Sequence, residues 1–299
     1  MKTWRAFGVR LESEIPLDGL PEVSGAELAT VKVLLERTPH DTEQRTSPVP
    51  DVEALIDGRP LSLRVNGELE VCWRGVVTFR AAIGDSVIRC QRGPEGSIEQ
   101  AREWLLHYML PLLLQTERHL HFLHGSAVQI GAGAVGFLAP SGGGKSTLME
   151  HFVRRGHAFL TDDKLGIVRC EGGFAAVPGA PFYRRGEAKG QWRPVGNFAS
   201  SPLPLRTLYL LAPADRNVTP LVTPLLAREA PFALAARCEL RLPARVRQRL
   251  GLGPFAAERF YDCSELAAAV RVCRLRVPQA LSRLPDVYQS VVADAAGCE

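Results

Sequence analysis

The stretch Ala139-Pro140-Ser141-Gly142-Gly143-Gly144-Lys145-Ser146-Thr147 constrains this chain more than any other. Three successive glycines let backbone N–H groups turn toward one centre, a lysine follows at once, and hydroxyls come next. That combination is a phosphate-cradling loop of the Walker A type, with Ser141, Gly142, Gly143, Gly144, Lys145, Ser146 and Thr147 as the nucleotide-binding residues. In this reading Lys145 reaches the terminal phosphates of a triphosphate and Ser146 offers its hydroxyl to Mg²⁺. The loop has this meaning only between a strand and a helix, so it dictates its own surroundings. Ala134-Val135-Gly136-Phe137-Leu138 is a short apolar run suited to a buried strand. Thr147 to Arg155 is built of helix formers, and Gly156 is placed to end the helix. The phosphates then meet a helix N-terminus, whose unpaired N–H groups and dipole favour anions. The usual pattern opens on glycine where this chain has Ala139; Pro140 drives the residue before it toward β or polyproline geometry, which alanine adopts without strain.

Asp162 and Asp163 close the run His157-Ala158-Phe159-Leu160-Thr161, sixteen residues beyond Ser146 and one helix downstream. A carboxylate in this Walker B position holds Mg²⁺ directly or through water, and a second one orients or deprotonates an attacking hydroxyl. Ser146, Asp162 and Asp163 are therefore the candidate metal ligands, and Asp162, Asp163, His124 and Lys145 the candidate catalytic residues. Adjacent strand residues face opposite sides, so the two carboxylates are equivalent only if the strand has already ended. His124 lies in His124-Gly125-Ser126-Ala127-Val128, one hairpin before the loop, where its imidazole suits the γ-phosphate and a structural role equally. His119, His121 and His124, spaced by two and three, fit neither one helix face nor a zinc pattern.

A chain of 299 residues with 46% hydrophobic and 23% charged residues has room for one large domain or two modest ones, and needs no disulfide support. Its net charge of +4 is far short of a nucleic-acid-binding signature. Seven scattered cysteines without a C-x-x-C pair point to reduced thiols and away from zinc. The longest apolar block, Leu105 to Leu114, contains His107 and Pro111 and is too short to span a bilayer, and no signal-peptide stretch opens the chain. The expectation is a cytoplasmic protein without nucleic-acid or membrane partners; homo-oligomerisation is left open.

The first third reads as β-rich. Leu61–Val65 and Leu69–Trp73 flank Asn66-Gly67, a type I′ hairpin signal, and Val76–Ile83 and Ser86–Cys90 bracket Gly84-Asp85. Thr38 to Asp51 reads as an exposed loop. After Gly93-Pro94-Glu95-Gly96, the segment Ser97-Ile98-Glu99-Gln100 forms a capping box that opens a helix toward Arg118. A domain boundary near residue 95 follows. Downstream, a hairpin over Leu123–Ile130 and Ala134–Leu138 leads into the loop. A strand over Leu205–Leu211, a helical region over Pro231–Leu250 and an amphipathic tail over Ser264–Val292 complete the chain.

Taken together, His124-Gly125, Ser141 to Ser146, Arg155-Gly156-His157 and Asp162-Asp163 resemble the catalytic domain of bacterial HPr serine kinase over about residues 120–170. The resemblance implies an α/β fold: a P-loop kinase core of HPr-kinase type at residues 96–299 and a smaller β-rich N-terminal domain at 1–95. It also implies ATP- and Mg²⁺-dependent phosphorylation of a serine hydroxyl, with one aspartate of the pair as base. That family's glycine-rich signature after the Walker B strand is absent, and Arg184-Arg185-Gly186-Glu187 echoes it loosely. Arg5 to Leu11 and Ser13 to Leu17 are similar to the opening of HPr-kinase-like proteins that accompany peptide natural-product genes, such as lasso-peptide kinases. The expected partner is thus a peptide or protein with an acceptor serine rather than HPr. Arg184, Arg185 and Lys189, or the arginines at 237, 241, 245, 247 and 249, are candidates to grip phosphate or an acidic peptide, although most suit a solvated helix face. A small-molecule kinase and a nucleotide-responsive binding protein without transfer are the alternatives.

Overall fold

The computed structural model describes residues 2–24, 28–36, 50–56, 59–65, 67–82, 84–116, 120–184, 192–238, 244–249 and 255–297. It is a mixed α/β structure that divides into two compact units: residues 1–119 with 241–255, and residues 120–240 with 256–299. Among the described residues no helix is long and apolar enough to cross a membrane.

The first unit is an eight-stranded sheet. Its strands are β1 (Thr3–Ala6), β2 (Val9–Ser13), β3 (Thr30–Glu36), β4 (Val52–Ile56), β5 (Arg59–Val65), β6 (Glu68–Trp73), β7 (Val77–Ala82) and β8 (Val87–Arg92), in the order β1-β2-β3-β8-β7-β6-β5-β4. Alternation sets the face: along β6, Leu69, Val71 and Trp73 are buried while Glu70 and Cys72 are only half-buried. The hairpin of β5 and β6 pairs Val65 with Leu69, leaving three positions between the paired residues rather than the two of a type I′ turn. Asn66 lies outside the described residues, and Gly67 has a positive φ of 71°, which glycine adopts without strain. The loop expected over Thr38–Asp51 also lies mostly outside them, but Asp51 itself is buried rather than exposed.

Ser97 caps α1 (Ile98–Trp104) with the expected capping box. The chain then widens into a π-turn at Leu105–Met109 before α2 (Leu110–Thr116). Pro111 has no N–H and its ring crowds the carbonyl four residues back, and the wider turn absorbs that clash. Trp104 packs on Trp73 with ring centroids 4.4 Å apart, and Tyr108 meets the same indole at 5.3 Å. These contacts place α1 and the π-turn against the sheet, and the first unit runs on to residue 119, so the expected break near residue 95 falls inside it.

The second unit holds β9 (His121–Ile130), β10 (Gly133–Leu138), α3 (Lys145–Arg154), β11 (Phe159–Thr161), β12 (Lys164–Cys170) and β13 (Gly173–Val177). A small ribbon of β14 (Phe182–Arg184) and β15 (Trp192–Pro194) follows, then β16 (Leu203–Ala214), β17 (Leu221–Pro224) and α4 (Ala230–Ala235). Helix α5 (Ala244–Arg249) belongs to the first unit; α6 (Phe255–Ala269), β18 (Arg271–Pro278) and α7 (Leu284–Ala296) complete the second. The sheet runs β10-β9-β12-β13-β16-β18-β17, and β10 also pairs in parallel with β16. All six residues of β10 are buried, which is why its sequence is a continuous apolar run rather than an alternating one. Phe152 of α3 and Val287 and Val291 of α7 pack with Phe137 and Tyr209.

Two expectations are corrected here. The region Pro231–Leu250 is not one helix: α4 ends at Ala235, and α5 belongs to the other unit. The amphipathic tail contains β18, which pairs in parallel with β16 over eight residues from Thr207↔Arg271 to Ala214↔Pro278.

Candidate active site

Strand β10 delivers the chain to the loop. Ala139 is buried, Pro140 to Gly144 are exposed, and α3 begins at Lys145 with Gly144 as its N-cap at φ 87°. Gly142 is also left-handed, at φ 75°. A Cβ on either residue would meet nothing within 4 Å, so backbone conformation, not space, calls for glycine there. Gly143 is different: its Cβ would fall 2.6 Å from the Ala139 Cβ and 3.0 Å from the Pro140 oxygen, and its N–H donates to that oxygen at 3.0 Å. Of the amides expected to face phosphates, that of Gly143 is thus held within the loop. Ala139 is not among the described residues with positive φ, in line with the effect of Pro140. Ser146 is half-buried and Thr147 exposed on the first turn of α3.

Lys145 is buried at 5% exposure. Its Nζ donates to the carbonyls of Ala139 at 3.0 Å and Pro140 at 3.1 Å, and lies 2.9 Å from His124 Nε2. An ammonium only donates, so His124 Nε2 accepts and the imidazole carries its proton on Nδ1. Nδ1 faces the Asp163 carboxylate at 3.6 Å, longer than a hydrogen bond.

Strand β11 ends at Thr161, so the aspartates lie in the turn that leads to β12. Asp163 has φ 71°, a conformation that costs a non-glycine residue roughly 1–2 kcal/mol and that aspartate tolerates better than most. The turn is held by Lys164 N–H on the Asp162 carbonyl, 2.9 Å, and by Thr161 Oγ1 on the Lys164 carbonyl, 2.8 Å. The two carboxylates consequently part. Asp162 is buried, and its Oδ1 accepts from Ser126 Oγ at 2.5 Å and from Ser146 Oγ at 2.9 Å. Asp163 keeps a side chain 52% exposed beside His124. Burial pushes the Asp162 carboxyl up to about 6; the Asp163 charge adds to this, while the two hydroxyls and Lys145 oppose it.

The structure brings Lys145, His124 and Asp163 into one chain of contacts, and Ser146, Ser126 and Asp162 into another. Ser126, fully buried on β9, was not singled out by its sequence; its only signal is a hydroxyl in an apolar strand two residues after His124. Arg185, Gly186, Glu187, Lys189 and Arg241 lie outside the described residues, as do the side chains of Arg184, Arg245 and Arg247.

No protein-family model matches the chain, and no curated protein sequence does. Among solved structures it is similar to the HPr(Ser) kinase/phosphatase from Coxiella burnetii, with a TM-score of 0.36 and 10% identity over 59% of this chain and 95% of that one.

Among the described residues no cluster of three or more His, Cys, Asp and Glu is placed to hold a metal ion. Asp163 turns toward His124, so the expected trio reduces to Ser146 and Asp162. That pair fits Mg²⁺ all the same, because this ion keeps several waters and takes one or two carboxylates together with phosphate oxygens. A ten-residue helix with glycines opening its N-terminus fits a phosphate in the same way.

Proposed function

We propose that the chain is an ATP-dependent kinase that passes a phosphoryl group to a serine hydroxyl of a peptide or protein, with a precursor peptide of the lasso class as its acceptor. The observation that carries this reading is the hydroxyl of Ser146 on the buried Asp162 carboxylate, one residue beyond Lys145. It joins the first turn after the glycine loop to the acid that ends the neighbouring strand, which is the arrangement phosphoryl transfer requires. Mg²⁺ and ATP, when bound, supply the phosphoryl group and neutralise the charge on its oxygens. Ser146 and Asp162 would hold the ion, the N-terminus of α3 the phosphates, and Lys145 the charge on their outer oxygens.

Asp163 is the base. It is half-exposed, next to the buried acid, and free of the two hydroxyls that occupy Asp162, so an acceptor serine has access to it. His124 keeps Nδ1–H toward this carboxylate because Lys145 occupies Nε2. The proton of the attacking hydroxyl then passes to Asp163.

The test is mass spectrometry of serine-containing peptides encoded beside the gene, incubated with the protein and Mg-ATP. The expected outcome is a phosphate increment on serine that Lys145→Ala abolishes. Asp163→Asn should lower transfer about 10²-fold or more while ATP affinity stays within about threefold of wild type. Full activity in Lys145→Ala sinks the site assignment. Transfer to small hydroxyl compounds alone makes the protein a small-molecule kinase, and ATP binding without any transfer makes it a nucleotide-responsive binder.

A further inference from the structure

One edge of β9 is shared by two segments. Over Gly125–Ile130 it pairs with β10, ending at Leu138↔Gly125. If β10 continued, Ala139 would lie opposite His124, but the chain turns away there into the glycine loop. The place is taken by the turn after α4: the His124 N–H donates to the Arg237 carbonyl at 2.6 Å, and Leu123 bridges Cys238 in antiparallel register. That register sets Arg237 directly opposite His124. Directly opposed residues of an antiparallel pair project from the same face, with Cβ atoms about 4.5–5.5 Å apart. The face is fixed by His124, whose imidazole reaches Lys145 at 2.9 Å. Arg237 thus rises beside His124 where the loop leaves the sheet.

Among the described residues no carboxylate lies within ion-pair distance of Arg237, and its Nε is buried with no hydrogen-bond partner. A buried guanidinium donor left in this state costs stability; the Nε atoms of Arg5, Arg10 and Arg64 are orphaned too, but Arg10 and Arg64 have carboxylates within ion-pair distance. The turn that carries it is held firmly. Arg237 N–H donates to the Leu234 carbonyl at 2.8 Å, and Cys238 Sγ lies 3.7 Å from both the Leu234 carbonyl and Cys263 Sγ of α6. A fixed backbone, a partly buried cation and an orphaned donor suit an anion that arrives from outside.

We propose that Arg237 binds the terminal phosphate of the nucleotide, opposite Lys145 and across His124 from Asp163. This rests on the nucleotide-binding reading of the glycine loop, and it assigns to the turn after α4 a role that the loop itself does not supply. A planar guanidinium offers two parallel donors to phosphate oxygens, and only a triphosphate extends a charged group beyond the loop toward the end of β9.

Calorimetric titration of the whole chain with Mg-ATP and Mg-ADP tests it. Arg237→Ala should weaken Mg-ATP binding about tenfold or more and Mg-ADP binding less than about twofold, as expected for one lost charge-assisted contact. Arg237→Lys should recover part of the ATP affinity, and it retains enough of the aliphatic stem to guard against a packing defect. Lys145→Ala should weaken both nucleotides. Equal losses for ATP and ADP, or no loss, in a folded Arg237→Ala protein overturn the Arg237 assignment alone. A wild-type protein that binds neither nucleotide overturns the reading of the loop, and this one with it.

Discussion

Asp162 is a carboxylate in an environment that resists its charge. Burial raises its pKa from 3.8 to about 6 in the folded chain, so the folded state holds the proton more tightly than the unfolded one. The stability this gives is complete below pH 3.8 and is lost as the pH rises through 6. At pH 8 without divalent ions Asp162 is therefore a burden of order 2–3 kcal/mol. Asp162→Asn keeps an oxygen for the Ser126 and Ser146 hydroxyls and removes the charge. It should raise Tm by several degrees at pH 8, leave it nearly unchanged at pH 4, and abolish Mg²⁺-dependent transfer. Thermal melts at the two pH values decide this; an equal Tm at pH 8 would mean that the charge is already compensated. Much of this site is legible as sequence, because the glycines, Lys145, Ser146 and the Asp pair sit at local, fixed spacings. Ser126 is not, since its bond to Asp162 spans 36 residues and exists only because β9 lies beside β11. The division of labour within Asp162-Asp163 is equally hidden, for it depends on β11 ending one residue before the pair.

At the scale of elements, local chemistry also marked the hairpins and the cap of α1, where glycine turns and Ser97 carry their own instructions. Strand β18 was hidden because Arg271-Val272-Cys273-Arg274-Leu275-Arg276 alternates charge and apolar residues between two helical patterns. Its partner β16 lies more than fifty residues earlier in the chain. A partly buried network holds this strand pair to α7. The Tyr209 hydroxyl donates to Asp294 Oδ2 at 2.7 Å, and Arg271 grips both oxygens of the same carboxylate at 2.5 and 2.7 Å. Burial works against the Asp294 charge, but the Arg271 and Tyr209 hydrogen bonds prevail and hold its carboxyl below the ordinary 3.8. Asp294→Ala would leave a fully buried phenol and a half-buried guanidinium without their acceptor. Removing one partner from such a set costs about 3 kcal/mol, or roughly 5–10 °C in Tm for a unit of this size. Tyr209→Phe, which deletes one donor and leaves the ion pair, should cost less than half as much. The native contribution is present above pH 3.8 and lost as the pH falls through the lowered value, so the penalty should shrink in strong acid. Melts of both variants at pH 7 settle the order; a smaller loss in Asp294→Ala than in Tyr209→Phe would refute it.

At the scale of the whole molecule, the first unit is discontinuous: residues 241–255 return to it after the chain has built most of the second. No composition shift marks this excursion, because a helix of six residues such as α5 looks the same wherever it packs. What fixes it is Asp51, 6% exposed, which accepts from the Val65 N–H at 2.9 Å and from Arg249 Nη1 at 2.9 and 3.1 Å. Arg249 Nη1 also donates to the Val65 carbonyl at 3.2 Å, so one side chain ties α5 to both the Asp51 turn and the end of β5. Arg249 is more than half exposed, and solvent screens its side of the pair, whereas Asp51 is buried and loses its charged partner when the arginine is removed. Arg249→Ala should therefore cost the first unit about 1–2 kcal/mol, a drop of a few degrees in its transition. Three of the four tryptophans, Trp4, Trp73 and Trp104, are buried in that unit, so tryptophan fluorescence follows its unfolding. The expected result is an earlier fluorescence transition in Arg249→Ala with Mg-ATP affinity within about twofold of wild type, since its partners among the described residues, Asp51 and Val65, belong to the first unit. An unchanged transition would show that α5 is held to the sheet by its apolar face, through Val246, and not by the ion pair.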